Sequence, residues 1–330
     1  MTKPPIPIVL AAPAGYARLC AEGHRLLSQS GLSIVENPHD RPLTKSELLE
    51  QVGAVSAAVV GVEPWDEAVF AAAPRLKVIC KQGVGVDNID LAAAQRHGVY
   101  VTNAPGGNSN AVAELTLGLV LALLRRIPQM HQACERGDWT RLVGQELTGR
   151  TVGLVGFGSI AQLVARRFSG FDVRLVAYDP FLNAEAAARL QVAAVDGIEQ
   201  LLAESDIVSL HVPARPDGRP VLDAAAIALL KPGSILVNTA RGSLVDYDAL
   251  AARLNKGELA GAALDVFPVE PIPPDSPLLR LPNVVLSNHA GAESQQAYDA
   301  ISVTNANAIL DALSGKAPAN ALTHPHIGGK

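Results

Sequence analysis

The sequence predicts an α/β fold of two doubly wound parallel-sheet domains with a cleft between them. Three observations predict it. The chain has 330 residues, more than one hydrophobic core usually serves. Short β-rich runs alternate with helical stretches along its front, which suits a parallel sheet with helices on both faces. A second strand–helix series starts at Thr151 with a glycine-rich strand-to-helix turn.

The first series reads as a strand at 8–11, a helix at 16–29 and a strand at 32–36. Thr44-Lys-Ser-Glu47 is a capping box that opens another helix. Strands follow at 55–61 and 76–80. The loop Asn103-Ala-Pro-Gly-Gly-Asn-Ser-Asn110 leads into a long apolar helix at 111–126, and 139–149 reads as an irregular connection. The second series places strands at 152–155, 173–178, 206–210, 234–238, 261–264 and 284–286. A helix at 294–314 and a polar tail with Pro and Gly close the chain.

Hydrophobic residues make up 48% of the chain and charged residues 18%, enough apolar material for buried cores. The formal net charge is -5 and no basic stripe is present, so no nucleic-acid partner is expected. Cys20, Cys80 and Cys134 are far apart and odd in number. They read as free thiols of a reducing compartment, and no spacing suggests a metal site. The apolar stretch 6–12 is broken by Pro7 and followed by Pro13, too short for a signal segment. The apolar run 115–124 ends at Arg125 and Arg126, too short to span a bilayer. A cytoplasmic protein with no membrane partner is the expectation.

Thr151-Val-Gly-Leu-Val-Gly-Phe-Gly-Ser-Ile-Ala161 runs from a strand straight into a helix. Gly156, Gly158 and Ala161 occupy the G-x-G-x-x-G/A positions of a Rossmann-like turn. The first permits the tight bend, the second lets backbone approach a pyrophosphate, and the alanine allows close helix–strand packing. The loop residues Phe157, Ser159 and Ile160 then offer backbone to the phosphates at a helix N-terminus. Asp179 lies 18 residues past Ala161, where a carboxylate accepts ribose hydroxyls and repels a 2′-phosphate. Pro180 and Phe181 follow, with no Arg beside them, so NAD is favoured over NADP. A turn that needs glycine for packing alone is the alternative, and a methyltransferase can share both the turn and the acid.

Three later segments sit at or just after predicted strands: Asn238-Thr-Ala-Arg241-Gly, Asp265-Val-Phe-Pro-Val-Glu270-Pro and Ser287-Asn-His289-Ala-Gly291. Strand ends of this kind converge on one crevice. Oxidising a hydroxy acid needs a cation for the carboxylate, a base for the hydroxyl proton, and a partner that orients the base. Arg241 supplies a planar, permanently charged fork. His289 is a residue type whose ordinary pKa, about 6.5, lets it carry a proton at neutral pH. Glu270, in contact with His289, would stabilise the protonated ring and fix which nitrogen faces the substrate. Taken singly, Arg241 could be a structural ion pair, Glu270 a solvated loop acid, and His289 one of eight ordinary histidines.

These motifs together resemble the D-isomer-specific 2-hydroxyacid dehydrogenases over nearly the whole chain. Gly83-Val-Gly85-Val-Asp87-Asn88 and Asn103-Ala-Pro-Gly-Gly-Asn108 resemble the D-3-phosphoglycerate dehydrogenase branch. The resemblance implies that Arg241, Glu270 and His289 are the substrate-orienting arginine, the carboxylate partner and the acid/base. It implies a nicotinamide position near Asp265 and backbone at Val84 and Gly85 for the substrate carboxylate. Asn108 joins the expected substrate contacts, and His211, Pro213, Thr239 and Gly291 the cofactor contacts. It implies a discontinuous substrate domain, 1–103 plus 290–330, around an NAD domain at 104–289. Homodimers are common in the family, which makes the helix from Ala111 and the Trp139 region candidate interface, or core. The family usually has Pro before the histidine, where this chain has Asn288. The short tail makes a C-terminal regulatory domain unexpected.

A small D-2-hydroxy acid is the expected substrate. Lys81 precedes the Gly83-Val-Gly85 loop and could bind a second anionic group, such as the phosphate of 3-phosphoglycerate, or be a solvated strand-end lysine. Formate or phosphite oxidation shares the architecture. An NADH-sensing corepressor-like protein is the non-enzymatic alternative, and a methyltransferase would leave Arg241, Glu270 and His289 with no shared purpose.

Overall fold

Alternating apolar runs and helices resolve into two separate parallel sheets in the computed structural model, which describes residues 6–325. Each sheet organises its own unit. One unit runs to Asn108 and resumes at Ala292; the other is Ser109–Gly291. The first therefore draws on both ends of the chain.

In the first unit the strands are β1 (Ile8–Ala11), β2 (Ser33–Glu36), β3 (Ala57–Val60), β4 (Val78–Lys81) and β5 (Tyr100–Thr102). They pair in parallel in the order β2-β1-β3-β4-β5, so the winding reverses between β1 and β3. Successive residues point to opposite faces, and both faces are covered. Leu10, Ala58, Val60 and Ile79 pack with Leu48, Trp65, Val69 and Phe70. Val9, Ala57, Val59 and Val78 pack with Leu27 and with Ala306, Ile309 and Ala312 of the helix Gln295–Leu313. Double burial explains why these strands read as unbroken apolar runs. The C-terminal helix is thus one side of this core. Beyond it, Leu322 donates its N–H to Val101 O at 2.7 Å, and Thr323 Oγ1 accepts from Val101 N and donates to Val99 O, both at 2.8 Å. The chain end covers the exposed edge of β5, which would otherwise offer unpaired backbone.

In the second unit the strands are β6 (Thr151–Val155), β7 (Arg174–Tyr178), β8 (Val192–Ala194), β9 (Ile207–Leu210), β10 (Ile235–Asn238), β11 (Gly261–Leu264) and β12 (Val284–Leu286). All are parallel, in the order β12-β11-β10-β9-β6-β7-β8. The chain winds one way from β6 through β8 and the other way from β9 through β12. Such a reversal leaves a crevice at the carboxyl ends of the two central strands, here β6 and β9. The helices Ser109–Leu124 and Ser159–Phe168 cover one face through Ala113, Val120, Leu123, Val164 and Phe168. The other face packs on Leu201, Leu202, Ile227, Leu250 and Leu254. The helix read as 111–126 is therefore a core element of its own unit.

Several boundaries differ from the sequence expectation. The helix read as 16–29 is two, Tyr16–Leu19 and Ala21–Gln29, because Cys20 leaves helical geometry at φ -116° and ψ 42°. The apolar helix stops at Leu124, Arg126 turns left-handed at φ 54°, and a separate helix Ile127–Glu135 follows. The unit boundaries fall at Asn108 and Gly291 rather than near 103 and 289. Asn103 Nδ2 donates to Val84 O at 2.7 Å and Ala104 N to Gly83 O at 3.0 Å, which keeps that loop with the first sheet. The capping box at Thr44 forms with both of its hydrogen bonds. Among the described residues no helix is long and apolar enough to cross a membrane.

Thr323 is 4% exposed and serves two backbone groups at the β5 edge. Thr323→Val keeps the shape but leaves the Val101 N–H and the Val99 C=O unpaired. Such groups cost about 1–3 kcal/mol. Urea unfolding should show a loss of that size, and unchanged stability would mean the edge is closed by other contacts.

Candidate active site

Every sequence-predicted site residue of the second unit follows the carboxyl end of a strand or opens the helix after it. The glycine turn follows β6. Gly156 has φ 90°, and a Cβ there would sit 2.6 Å from His211 O, so only glycine fits. Gly158 caps the helix Ser159–Phe168 with no side-chain cap, and its own Cβ position meets nothing within 4 Å. Gly158 and Ser159 are exposed, Ile160 is half-buried, and Phe157 and Ala161 are buried in the core. This is an open helix N-terminus onto which a pyrophosphate fits.

Asp179, after β7, accepts hydrogen bonds from the Phe157 and Phe181 amides, both at 2.8 Å. It clamps the glycine turn to the neighbouring strand end. Each carboxylate oxygen keeps a second lone pair for a ribose hydroxyl. Phe181 is 93% exposed beside it. After β9, His211 Nε2 pairs with Ser209 Oγ at 2.9 Å, and burial pushes its pKa down to about 4. Pro213 is exposed two residues on.

The next three strands bring the acid–base residues together. At the end of β10, Asn238 Nδ2 donates to Arg241 O at 2.9 Å and Asn238 Oδ1 accepts from Ala240 N at 3.1 Å, closing the arginine turn. Arg241 Nη1 donates to Ala240 O at 2.7 Å. A Cβ on Gly242 would lie 2.0 Å from the Phe267 carbonyl carbon, so the arginine turn rests directly on the loop after β11. In that loop Glu270 Oε1 accepts from Phe267 N at 2.8 Å, and Glu270 Oε2 meets His289 Nδ1 at 2.6 Å. Glu270 is an exposed loop acid that nevertheless has His289 as its partner.

His289 has φ 57°, an uncommon conformation for a non-glycine residue. Asp265 holds it there. Its carboxylate accepts from Ser287 Oγ at 2.6 Å, Ala290 N at 2.7 Å and Gly291 N at 2.9 Å, and its carbonyl accepts from His289 N at 2.8 Å. Asp265 is 1% exposed. This buried carboxylate braces the loop on both sides of Asn288. Thr239 is buried against Thr116: Thr116 Oγ1 donates to Val112 O at 2.8 Å, which leaves Thr239 to donate across 3.0 Å to Thr116.

Sequence reasoning missed Ser287, Asn238 and Tyr247. The Tyr247 hydroxyl donates to Val266 O at 2.6 Å and accepts from Asn238 Nδ2 at 3.3 Å. Its only sequence signal is a tyrosine directly after the helix-capping Asp246. Among the described residues no cluster of His, Cys, Asp and Glu could hold a metal ion.

In the first unit, Lys81 ends β4 and Val84, Gly85 follow it. Lys81 is not a solvated lysine: it is 9% exposed, and Nζ donates to Gly61 O at 2.5 Å and to Asn88 Oδ1 at 2.8 Å. The Val84 carbonyl is held by Asn103. Asn108 closes the unit in the loop after β5.

Strand order, glycine turn and Asp179 define a dinucleotide-binding unit, with an Arg–Glu–His set on three adjacent strand ends. Residues 117–291 match the family profile described as "D-isomer specific 2-hydroxyacid dehydrogenase, NAD binding domain". The chain belongs to that family. A D-3-phosphoglycerate dehydrogenase of Methanocaldococcus jannaschii is 43% identical over 289 residues, 86% of this chain and 55% of that protein. The chain thus spans about half the length of that relative. A glyoxylate reductase of Korarchaeum cryptofilum is 37% identical over 310 residues, 90% of this chain and 93% of that protein. The solved structure of the TT0316 protein from Thermus thermophilus aligns with a TM-score of 0.87 at 35% identity, covering 96% of this chain and 100% of that one.

His211 yields a pH test. Folding lowers its pKa from 6.5 to about 4, so the unfolded chain binds more protons between these values. The native state therefore loses stability as pH falls through this window. Urea midpoints measured from pH 6.5 to 4 should fall more steeply for the native chain than for His211→Gln. Parallel curves would show that His211 is not neutralised by folding.

Proposed function

We propose that the protein catalyses reversible NAD-dependent hydride transfer at C2 of a small D-2-hydroxy acid, interconverting it with the 2-keto acid. The observation that carries this reading is the contact between Glu270 and His289 Nδ1 at 2.6 Å, on a loop that shares a sheet edge with the Arg241 turn. Bound NAD supplies the hydride acceptor, or as NADH the donor. With Nδ1 committed to Glu270, proton exchange with the substrate oxygen falls to Nε2. In oxidation His289 takes the hydroxyl proton as hydride leaves C2; in reduction it returns one. Glu270 balances the positive ring, and Arg241 holds the substrate carboxylate with its two-pronged fork. The family resemblance assigns further substrate contacts to Val84, Gly85 and Asn108.

The near full-length match to a glyoxylate reductase favours a small keto acid. A doubly anionic acid such as the 3-phosphoglycerate pair is the second reading. It is supported by the match to a phosphoglycerate dehydrogenase. We extend the reading to a cytoplasmic homodimer. The reduced cysteines suit the compartment, and Trp139 and Val143, 85% and 84% exposed, suit a protein partner surface.

A screen of 2-keto acids with NADH, followed by nicotinamide absorbance, tests the reading and ranks the substrates. His289→Ala should lower kcat at least about a hundredfold, the range for a general acid/base; an unchanged rate removes His289 from the mechanism. Asp179→Ala should raise kcat/KM with NADPH relative to NADH. Unaltered selectivity would place the ribose contact on another residue.

A further inference from the structure

We propose that Tyr247 is a positioning residue whose hydroxyl locks the Arg241 turn to the loop that carries Glu270. The proposal rests on the roles given above to Arg241, Glu270 and His289. Tyr247 is the first residue of the helix Tyr247–Asn255, directly after the capping Asp246. From there its hydroxyl reaches two different strand ends. It accepts from Asn238 Nδ2 at 3.3 Å, the same amide group that donates to Arg241 O at 2.9 Å. It donates to Val266 O at 2.6 Å, between Asp265 and Phe267. Phe267 N in turn donates to Glu270 Oε1 at 2.8 Å, and Glu270 Oε2 meets His289 Nδ1 at 2.6 Å. One hydroxyl therefore joins the backbone of the arginine to the backbone that aims the glutamate.

The tie works only while the phenol keeps its proton. Burial raises the Tyr247 pKa, opposed by the Asn238 hydrogen bond and helped by the Glu270 charge, so the hydroxyl keeps its proton through the neutral range. The ring tilts against Phe267 at a centroid distance of 6.3 Å. Both rings line an apolar hollow of about 280 Å³ with Ile272, Pro273 and Leu278. Packing of the ring is thus separate from the hydrogen bonds of the hydroxyl. Tyr247→Phe keeps the first and removes the second. Val266 is 1% exposed, so water does not readily replace the lost donor at its carbonyl. The 266–267 backbone is then released to shift, and Glu270 with it.

Two readouts test this on the full-length chain. The first is spectroscopic and needs no turnover. The proton between His289 and Glu270 should give a low-field resonance in the proton NMR spectrum, assigned by its absence in His289→Ala. In Tyr247→Phe it should move upfield or exchange away, and the resonance left in place overturns the proposal. The second is kinetic. With the best 2-keto acid, kcat should fall about tenfold, within the range that ~1 Å of misplacement produces, while KM for NADH changes less than kcat, because the pyrophosphate and ribose contacts at the glycine turn and Asp179 lie on other strands and only Thr239 and Asp265 adjoin the tie. Equal losses in kcat and in NADH-binding stoichiometry would make the effect one of folding and overturn the proposal. In a Glu270→Gln background, Tyr247→Phe should cause no further loss; additive losses would separate the two residues. A native chain that turns over no 2-keto acid ends the functional reading, while the resonance still decides for or against Tyr247.

Discussion

A single buried carboxylate sets the geometry on which the rest of the candidate site depends. Asp265 leaves the end of β11 and takes three hydrogen bonds from the loop after β12, one from a hydroxyl and two from backbone amides. A lone ion at this depth would be strongly destabilising. Three donors aimed at it turn the burial into a rigid joint, since hydrogen bonds to an ionised acceptor are about twice as strong as neutral ones. That joint can hold His289 at φ 57°, a backbone conformation uncommon for a non-glycine residue. With the backbone fixed, Glu270 Oε2 meets ring Nδ1 at 2.6 Å and selects the ring's rotamer.

The joint is possible because the sheet is parallel. Parallel strands deliver all their carboxyl ends to one edge, so residues far apart in sequence become neighbours without any long loop. The turns after β6, β7, β9, β10, β11 and β12 all open on that edge of the second unit. Helix N-termini start at the same edge, which adds their positive ends where an anionic cofactor would lie. The phosphate, ribose and proton-transfer roles proposed above thus fall on different strand ends of one topology. Asp179 and Asp265 do similar structural work at opposite ends of the row. Each ties one strand's turn to its neighbour's.

What the sequence revealed and what it hid follow from the range of the interactions. Strands 261–264 and 284–286 read to the residue because each is a short apolar run that ends on a polar residue, Asp265 and Ser287, although the edge strand β12 is only partly buried. Strands β5 and β8 were not read from the sequence. The break at Cys20 and the left-handed Arg126 were invisible because neither position carries glycine or proline. In the site, the glycine turn, Asp179 and the Arg–Glu–His set were legible because each lies within a few residues of a strand end. The partners that hold them were not. Ser287 meets Asp265 across 22 residues and Tyr247 meets Val266 across 19, and no local spacing encodes such pairs. Lys81 was legible as a cation after a strand, but its commitment to Gly61 and Asn88 depends on how two loops fold over it.

Two histidines on the same sheet edge show how environment, not residue type, assigns chemistry. His211 follows β9 and faces a serine hydroxyl in a buried setting, which holds its ring neutral down to about pH 4. It can donate or accept a hydrogen bond but carries no charge through the neutral range. His289 follows β12 and faces a carboxylate, so the ring has a counter-charge whenever it takes up a proton. The two sit at opposite sides of β10 and β11 in the strand order. A neutral group beside the glycine turn leaves the field there to the helix N-terminus and to Asp179. The proton carrier proposed above, His289, has a negative partner already built in. On that reading one edge serves a charged cofactor and a proton transfer without the two tasks competing for the same charge.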